Sequence, residues 1–121
     1  LLEAERMPRV DLLKMDIEGT EDLALRGMSA GLAKGIYRRI LLELHPGILA
    51  AKGVSLESTL APLREAGYRG WRIDHTPEAT RRAAYARHPD PRGDLSPLDP
   101  SQALDAWPHQ LWAAPGMEAL P

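Results

Sequence analysis

Residues 10–27 read VDLLKMDIEGTEDLALRG, and the change of period within this stretch decides the fold. Val10, Leu12, Leu13 and Met15 form a short, mostly apolar run of the kind a buried strand requires. The run stops at Asp16, and Ile17-Glu18-Gly19-Thr20 turns into a helical pattern. Glu18, Glu21 and Asp22 fall at the start of that helix, where carboxylates complement the exposed N–H groups. Leu25, Met28 and Leu32 then share one helical face.

The same alternation continues outward. Ile40-Leu41-Leu42-Glu43-Leu44 is a nearly continuous apolar run, as in a parallel strand covered on both faces, and His45-Pro46-Gly47 ends it. A second helix follows, with Ser55 as N-cap, Leu56, Leu60 and Leu63 on one face, and Gly67 as its stop. Pro62 costs about 3 kcal/mol in a helix interior, so the helix either kinks there or begins near Thr59. Tyr68 to Asp74 predicts a third strand, and His109 to Ala114 a closing one. Between them residues 75–106 read as a Pro-rich excursion or lid. Its first helix opens at Thr76-Pro77-Glu78 and runs to Arg87, and a second starts at Asp99. At the other end, Leu1 to Glu5 read as the end of a helix.

Strands alternating with helices predict an α/β chain with a parallel sheet. No crossover helix precedes the last strand, which is therefore expected to be antiparallel. Three segments follow: a strand–helix–strand–helix–strand core over 1–74, the excursion over 75–106, and a closing strand and tail over 107–121.

Composition narrows the functional classes. Apolar residues are 44% and charged residues 26%, which places the 121-residue chain among single globular domains and against wholesale disorder. Fifteen Lys+Arg against 17 Asp+Glu give a net charge of -2, without the basic excess of a dedicated nucleic-acid binder. No run of 18 apolar residues offers a membrane span. Cysteine is absent, which removes disulfides, thiolate metal sites and a Cys nucleophile, and suits a reduced, cytoplasmic setting.

Ligands of open parallel sheets sit beyond the carboxyl ends of the strands. Those ends carry Asp16 with Glu18, Glu43 with His45, and Asp74 with His75. The purely structural account of Asp16 and Glu18 is helix-start electrostatics, worth about 0.3–1 kcal/mol each. Glu43 is harder to explain that way, because a carboxylate in an apolar strand needs a partner or a purpose. The four histidines show no paired metal-ligand spacing, so no metal is expected. There is no Gly-rich phosphate loop and no nucleophile elbow.

The stretch VDLLKMDIEGTEDLALRG, then ILLELHP, then LREAGYRGWRID, resembles the C-terminal half of FkbM-type methyltransferases, with HQLWAAP resembling the closing strand. The KMDIEGTE segment carries the specific part of that likeness. The resemblance implies a class I, Rossmann-like sheet of which this chain holds strands four to seven, the last antiparallel and inserted between the fifth and sixth. The first three strands, with the Gly-rich turn for the cofactor, would precede Leu1. It implies S-adenosylmethionine as cofactor, with Asp16 and Ile17 at its site, and a small-molecule acceptor such as a sugar or polyketide hydroxyl. Asp16 is then the first candidate to position the acceptor or take its proton, Glu18 the second, and His45 a competitor for the base. Glu21, Glu43 and Arg81 would contact the acceptor. A rival reading is a non-catalytic α/β remnant serving as an interaction or scaffold domain. With no strand beside Val10 to Met15, an exposed sheet edge would also favour self-association.

Overall fold

The computed structural model describes residues 9–99 and 109–121. In chain order the elements are β1 (Leu13–Met15), α1 (Glu21–Gly27), α2 (Ser29–Ala33), β2 (Arg39–Glu43), α3 (Pro46–Ala51), α4 (Leu56–Glu65), β3 (Arg69–Ile73), α5 (Pro77–Tyr85), β4 (Leu95–Pro97) and β5 (His109–Ala113). The strands form one sheet in the order β1-β2-β5-β3-β4. β1 pairs parallel to β2, while β5 runs antiparallel to both β2 and β3. The strands β1, β2 and β3 therefore point the same way, and their carboxyl ends share one edge. Insertion of an antiparallel closing strand between the second and third strands agrees with the sequence expectation.

One face of the sheet carries the core. Met15, Ile40, Leu42 and Trp112 pack there with Leu25, Leu32, Leu49, Leu60, Leu63 and Tyr68 from the helices and the turn after α4. The register explains the alternation: Ile40 stands opposite Trp112, and Leu42 opposite Gln110. Gln110 is fully buried, and its Oε1 accepts from the Trp112 indole N–H at 2.9 Å. Among the described residues no helix is long and apolar enough to cross a membrane.

Several boundaries differ from the sequence reading. The first strand is shorter than Val10–Met15, and Val10 instead makes an isolated bridge to Tyr37. The expected first helix is two, divided at Met28, with the Ser29 hydroxyl donating to the Arg26 carbonyl at 2.7 Å. Helix α3 was not anticipated, although Pro46 at its first position is a start signal. α4 runs straight through the question of Pro62: Ser55 caps it at the Ser58 N–H, and Pro62 sits inside the helix. Burial of Thr59, Leu60 and Leu63 holds the helix together against the lost hydrogen bond.

The excursion is partly built into the sheet. Thr76 caps α5 as expected, but the helix ends at Tyr85 rather than Arg87. Leu95–Pro97 then adds an edge strand on β3, which a three-residue segment ending in Pro does not advertise. Arg82 of α5 ties the two pieces by pairing with Asp94 at 3.1 Å. The second helix expected from Asp99 and the helix end expected at Leu1 to Glu5 fall on residues outside those described.

Gly70 is set by close approach. A Cβ there would lie 2.9 Å from the Trp112 ring and 2.8 Å from Leu98. Gly70→Ala is expected to destabilise the fold by about 1–3 kcal/mol through overpacking. Urea unfolding checks this, and an unchanged midpoint would mean that the indole moves aside freely.

Candidate functional site

The carboxyl end of β1 leads into a tight turn whose geometry the sequence dictates residue by residue. Glu18 and Gly19 both have positive φ, 51° and 91°. At Gly19 a side chain is excluded twice, since a Cβ would also sit 2.3 Å from Ile48 Cγ2. The Thr20 hydroxyl donates to the Ile17 carbonyl at 3.0 Å, and Lys52 Nζ donates to the Gly19 carbonyl at 2.6 Å. The turn delivers Glu21 to the first position of α1, where it is completely buried.

His45 meets Glu21 from the neighbouring strand. It comes two residues after the end of β2 and is the N-cap residue of α3, its carbonyl accepting from Ile48 and Leu49. Its Nδ1 lies 2.7 Å from Glu21 Oε1, which also accepts the Gly19 N–H at 3.1 Å. Burial pushes the Glu21 carboxyl upward, but the bonds from His45 and Gly19 outweigh it, and the net shift is downward. The same bond to Glu21 raises His45 against its own desolvation, with further help from Glu21, Asp16 and Glu43. An ionised Glu21 makes Nδ1 the donor and leaves Nε2 on the other side of the ring.

That other side faces carboxylates. Asp16 Oδ1 lies 3.9 Å from His45 Nε2, while Asp16 Oδ2 is paired with Lys14 at 3.3 Å. One potential ligand atom each from Asp16, Glu43 and His45 lie within 4.8 Å of one another. Glu43 has its partner in His109, whose Nε2 is 3.6 Å from Oε1. The His109 ring in turn packs on His75, centroids 4.5 Å apart. His75 also lines a cleft of about 630 Å³ between the sheet and α5, with Leu41, Ile73, Leu95 and Leu111 as its apolar walls.

The structure thus brings together Asp16, Glu43 and His45, as their strand-end positions suggested. Ile17 is exposed beside them. Glu21, expected to contact an acceptor, is instead found sealed from solvent with its carboxylate bonded to His45, whose ring it orients. Its burial was hidden because an acid at a helix start ordinarily faces water. Glu18 is exposed in the turn and outside the cluster. Arg81 is exposed on α5, with its guanidinium on Glu78 of the same helix at 3.1 Å. His109 and Lys52 were missed. The closing strand's antiparallel direction, which starts it at this edge, was the available signal for His109; Lys52 gave none. Asp74 and His75 were expected at the edge as well. The Asp74 carboxyl is held below its ordinary range, chiefly by the Thr76 N–H at 3.0 Å.

A family model described as a methyltransferase FkbM domain matches residues 1–69 of the 121. The chain belongs to the FkbM methyltransferase family. The match covers the β1 turn, the His45 corner and all of α4. No curated protein and no solved structure gives a significant match to this FkbM-family chain.

The Glu21–His45 pair predicts a stability window. The lowered Glu21 contributes stability above about pH 4.5, lost as pH falls through its folded value. The raised His45 contributes below about pH 6.5, lost as pH rises through its folded value. The melting-temperature advantage of the native chain over Glu21→Gln should therefore peak between those limits, in chelator-treated buffer, and shrink on both sides. A pH-independent difference would dissociate the two groups.

Proposed function

We propose that this FkbM-family domain serves transfer of a methyl group from S-adenosylmethionine to a hydroxyl of a sugar, polyketide or similar small molecule. The observation that carries the reading is the Glu21–His45 bond at 2.7 Å, which aims Nε2 of the ring at Asp16. A buried carboxylate spent on holding an imidazole is a costly arrangement for structure alone, since desolvating it costs several kcal/mol. It is an ordinary one where a ring lone pair must be presented in one orientation.

Residues present here suit the cofactor in part. Ile17, exposed, offers an apolar contact, and Asp16 beside it offers an anion that complements a sulfonium charge. These are the residues of this chain that would hold it. When bound, the cofactor supplies an electrophilic methyl. The chain's own part is to orient the acceptor oxygen and draw off its proton, and the rate comes chiefly from alignment and exclusion of water. Asp16, Glu43 and the His45 Nε2 side form an electron-rich corner that attracts the hydrogen of a hydroxyl. The apolar cleft beside His75 suits an acceptor with a carbon framework as well as hydroxyls. Arg81 at the exposed surface of α5 would meet an anionic substituent of that acceptor.

Asp16→Asn keeps the shape and removes the charge. Turnover in the active protein should fall about 100-fold or more. Stability should change by about 0.5 kcal/mol or less, as at other exposed positions. Assays with labelled methyl donor, read beside thermal unfolding, check both. Parallel losses of activity and stability would return Asp16 to a structural role.

A further inference from the structure

We infer that Asp16, Glu43 and His45 form a binding site for one divalent transition-metal cation, with Glu21 as the carboxylate behind the histidine ligand. The sequence spacing gave no hint of a metal, because the three residues lie on two different strand ends and meet only in the folded sheet. Their ligand atoms lie within 4.8 Å of one another, and Asp16 Oδ1 stands 3.9 Å from His45 Nε2. That pair is too far apart for a hydrogen bond. Metal bonds of about 2.1 Å place two ligands of one ion about 3–4.2 Å apart. Small rotations of the exposed Asp16 and half-buried Glu43 side chains would complete the closure.

Clusters of exposed carboxylates alone are commonplace, and the argument for a ligand rests on what stands behind this one. Histidines that bind metals characteristically donate their other ring N–H to a carboxylate, which fixes the tautomer and strengthens the ligating nitrogen. Glu21 does this to His45 at 2.7 Å, from a position with no exposure to solvent. Its second oxygen is buried with no hydrogen-bond partner among the described residues. An ionised carboxylate held on the far nitrogen of the ring keeps His45 Nε2 free on the side of Asp16. Lys14 answers one oxygen of Asp16, and His109 lies near one oxygen of Glu43, but neither replaces a doubly charged ion between the ligands.

The donor set identifies the class of ion. Two carboxylates and one neutral imidazole supply hard and borderline donors with a charge of about −2, which suits Mn²⁺ or Zn²⁺ better than Ca²⁺ or Cu⁺. Three protein ligands leave positions for an outside oxygen. The ion's use rests on the methyltransferase reading: an acceptor hydroxyl on the open position would be oriented and acidified, and its proton taken by the uncoordinated oxygen of Asp16 or Glu43. Binding of the ion itself does not depend on that reading.

Titration of the chelator-treated chain with Mn²⁺, followed by loss of the free-ion paramagnetic resonance signal, tests the site without any methyl donor. One ion per chain is expected, displaced by Zn²⁺. Asp16→Asn and Glu43→Gln, both near-isosteric and checked for folding by circular dichroism, should each weaken binding at least about tenfold. Glu21→Gln should weaken it about 10–100-fold, as outer-sphere carboxylates do. No saturable binding up to about 1 mM, or binding indifferent to Asp16→Asn and Glu43→Gln, would overturn the site. Binding with these losses, in a protein that transfers no methyl group, would leave the metal site standing and remove the function proposed for it.

Discussion

The contact between Glu21 and His45 is the constraint on which the rest of this corner depends. A carboxylate with no solvent exposure needs partners in place of water, and here the His45 ring and the Gly19 N–H supply them on Oε1. To bring that N–H onto Glu21, the chain reverses in two residues, which puts Glu18 and Gly19 at positive φ. Ile48 then fills the space that a side chain on residue 19 would need, and Lys52 closes the turn from the far side. The turn at Glu18 and Gly19 and the α3 segment that carries His45, Ile48 and Lys52 thus meet around one buried charge.

The sheet supplies the second half of the arrangement. Because β1, β2 and β3 run in one direction, each ends at the edge where Asp16, His45 and Asp74 emerge. β5 runs the opposite way between β2 and β3, so it begins at that edge and sets His109 beside Glu43. The same register puts Trp112 over Gly70. Core packing and site geometry are therefore consequences of one strand insertion, and a slip of one residue in β5 would move both, since it turns every side chain to the opposite face.

Membership of the FkbM methyltransferase family gives the corner a chemical context, and the corner gives the DIEGTE stretch inside the matched residues a physical reading. In DIEGTE, Asp16 is the exposed anion, Gly19 the residue that permits the turn, Thr20 its lock on the Ile17 carbonyl, and Glu21 the buried support of a histidine two dozen residues away. The Glu18 side chain is exposed in the turn and takes no part in the cluster.

Period and punctuation were enough to determine much of this. The switch from an apolar run to a helical pattern at Asp16, the apolar run of β2, the Ser55 and Thr76 caps and the antiparallel closing strand are all local in origin, and each is present. So is the gathering of Asp16, Glu43 and His45 at one edge, which follows from strand direction alone. Folding decided what local pattern cannot encode. Leu95–Pro97 becomes a strand only because β3 offers a free side, and Met28 divides a helix whose periodicity continues through it. Glu21 has the sequence appearance of a solvated helix-start acid, and its burial depends on His45 arriving from β2. The pairing is long-range, between residues 24 positions apart, and the free energy that makes it worthwhile exists only when the surrounding packing has excluded water.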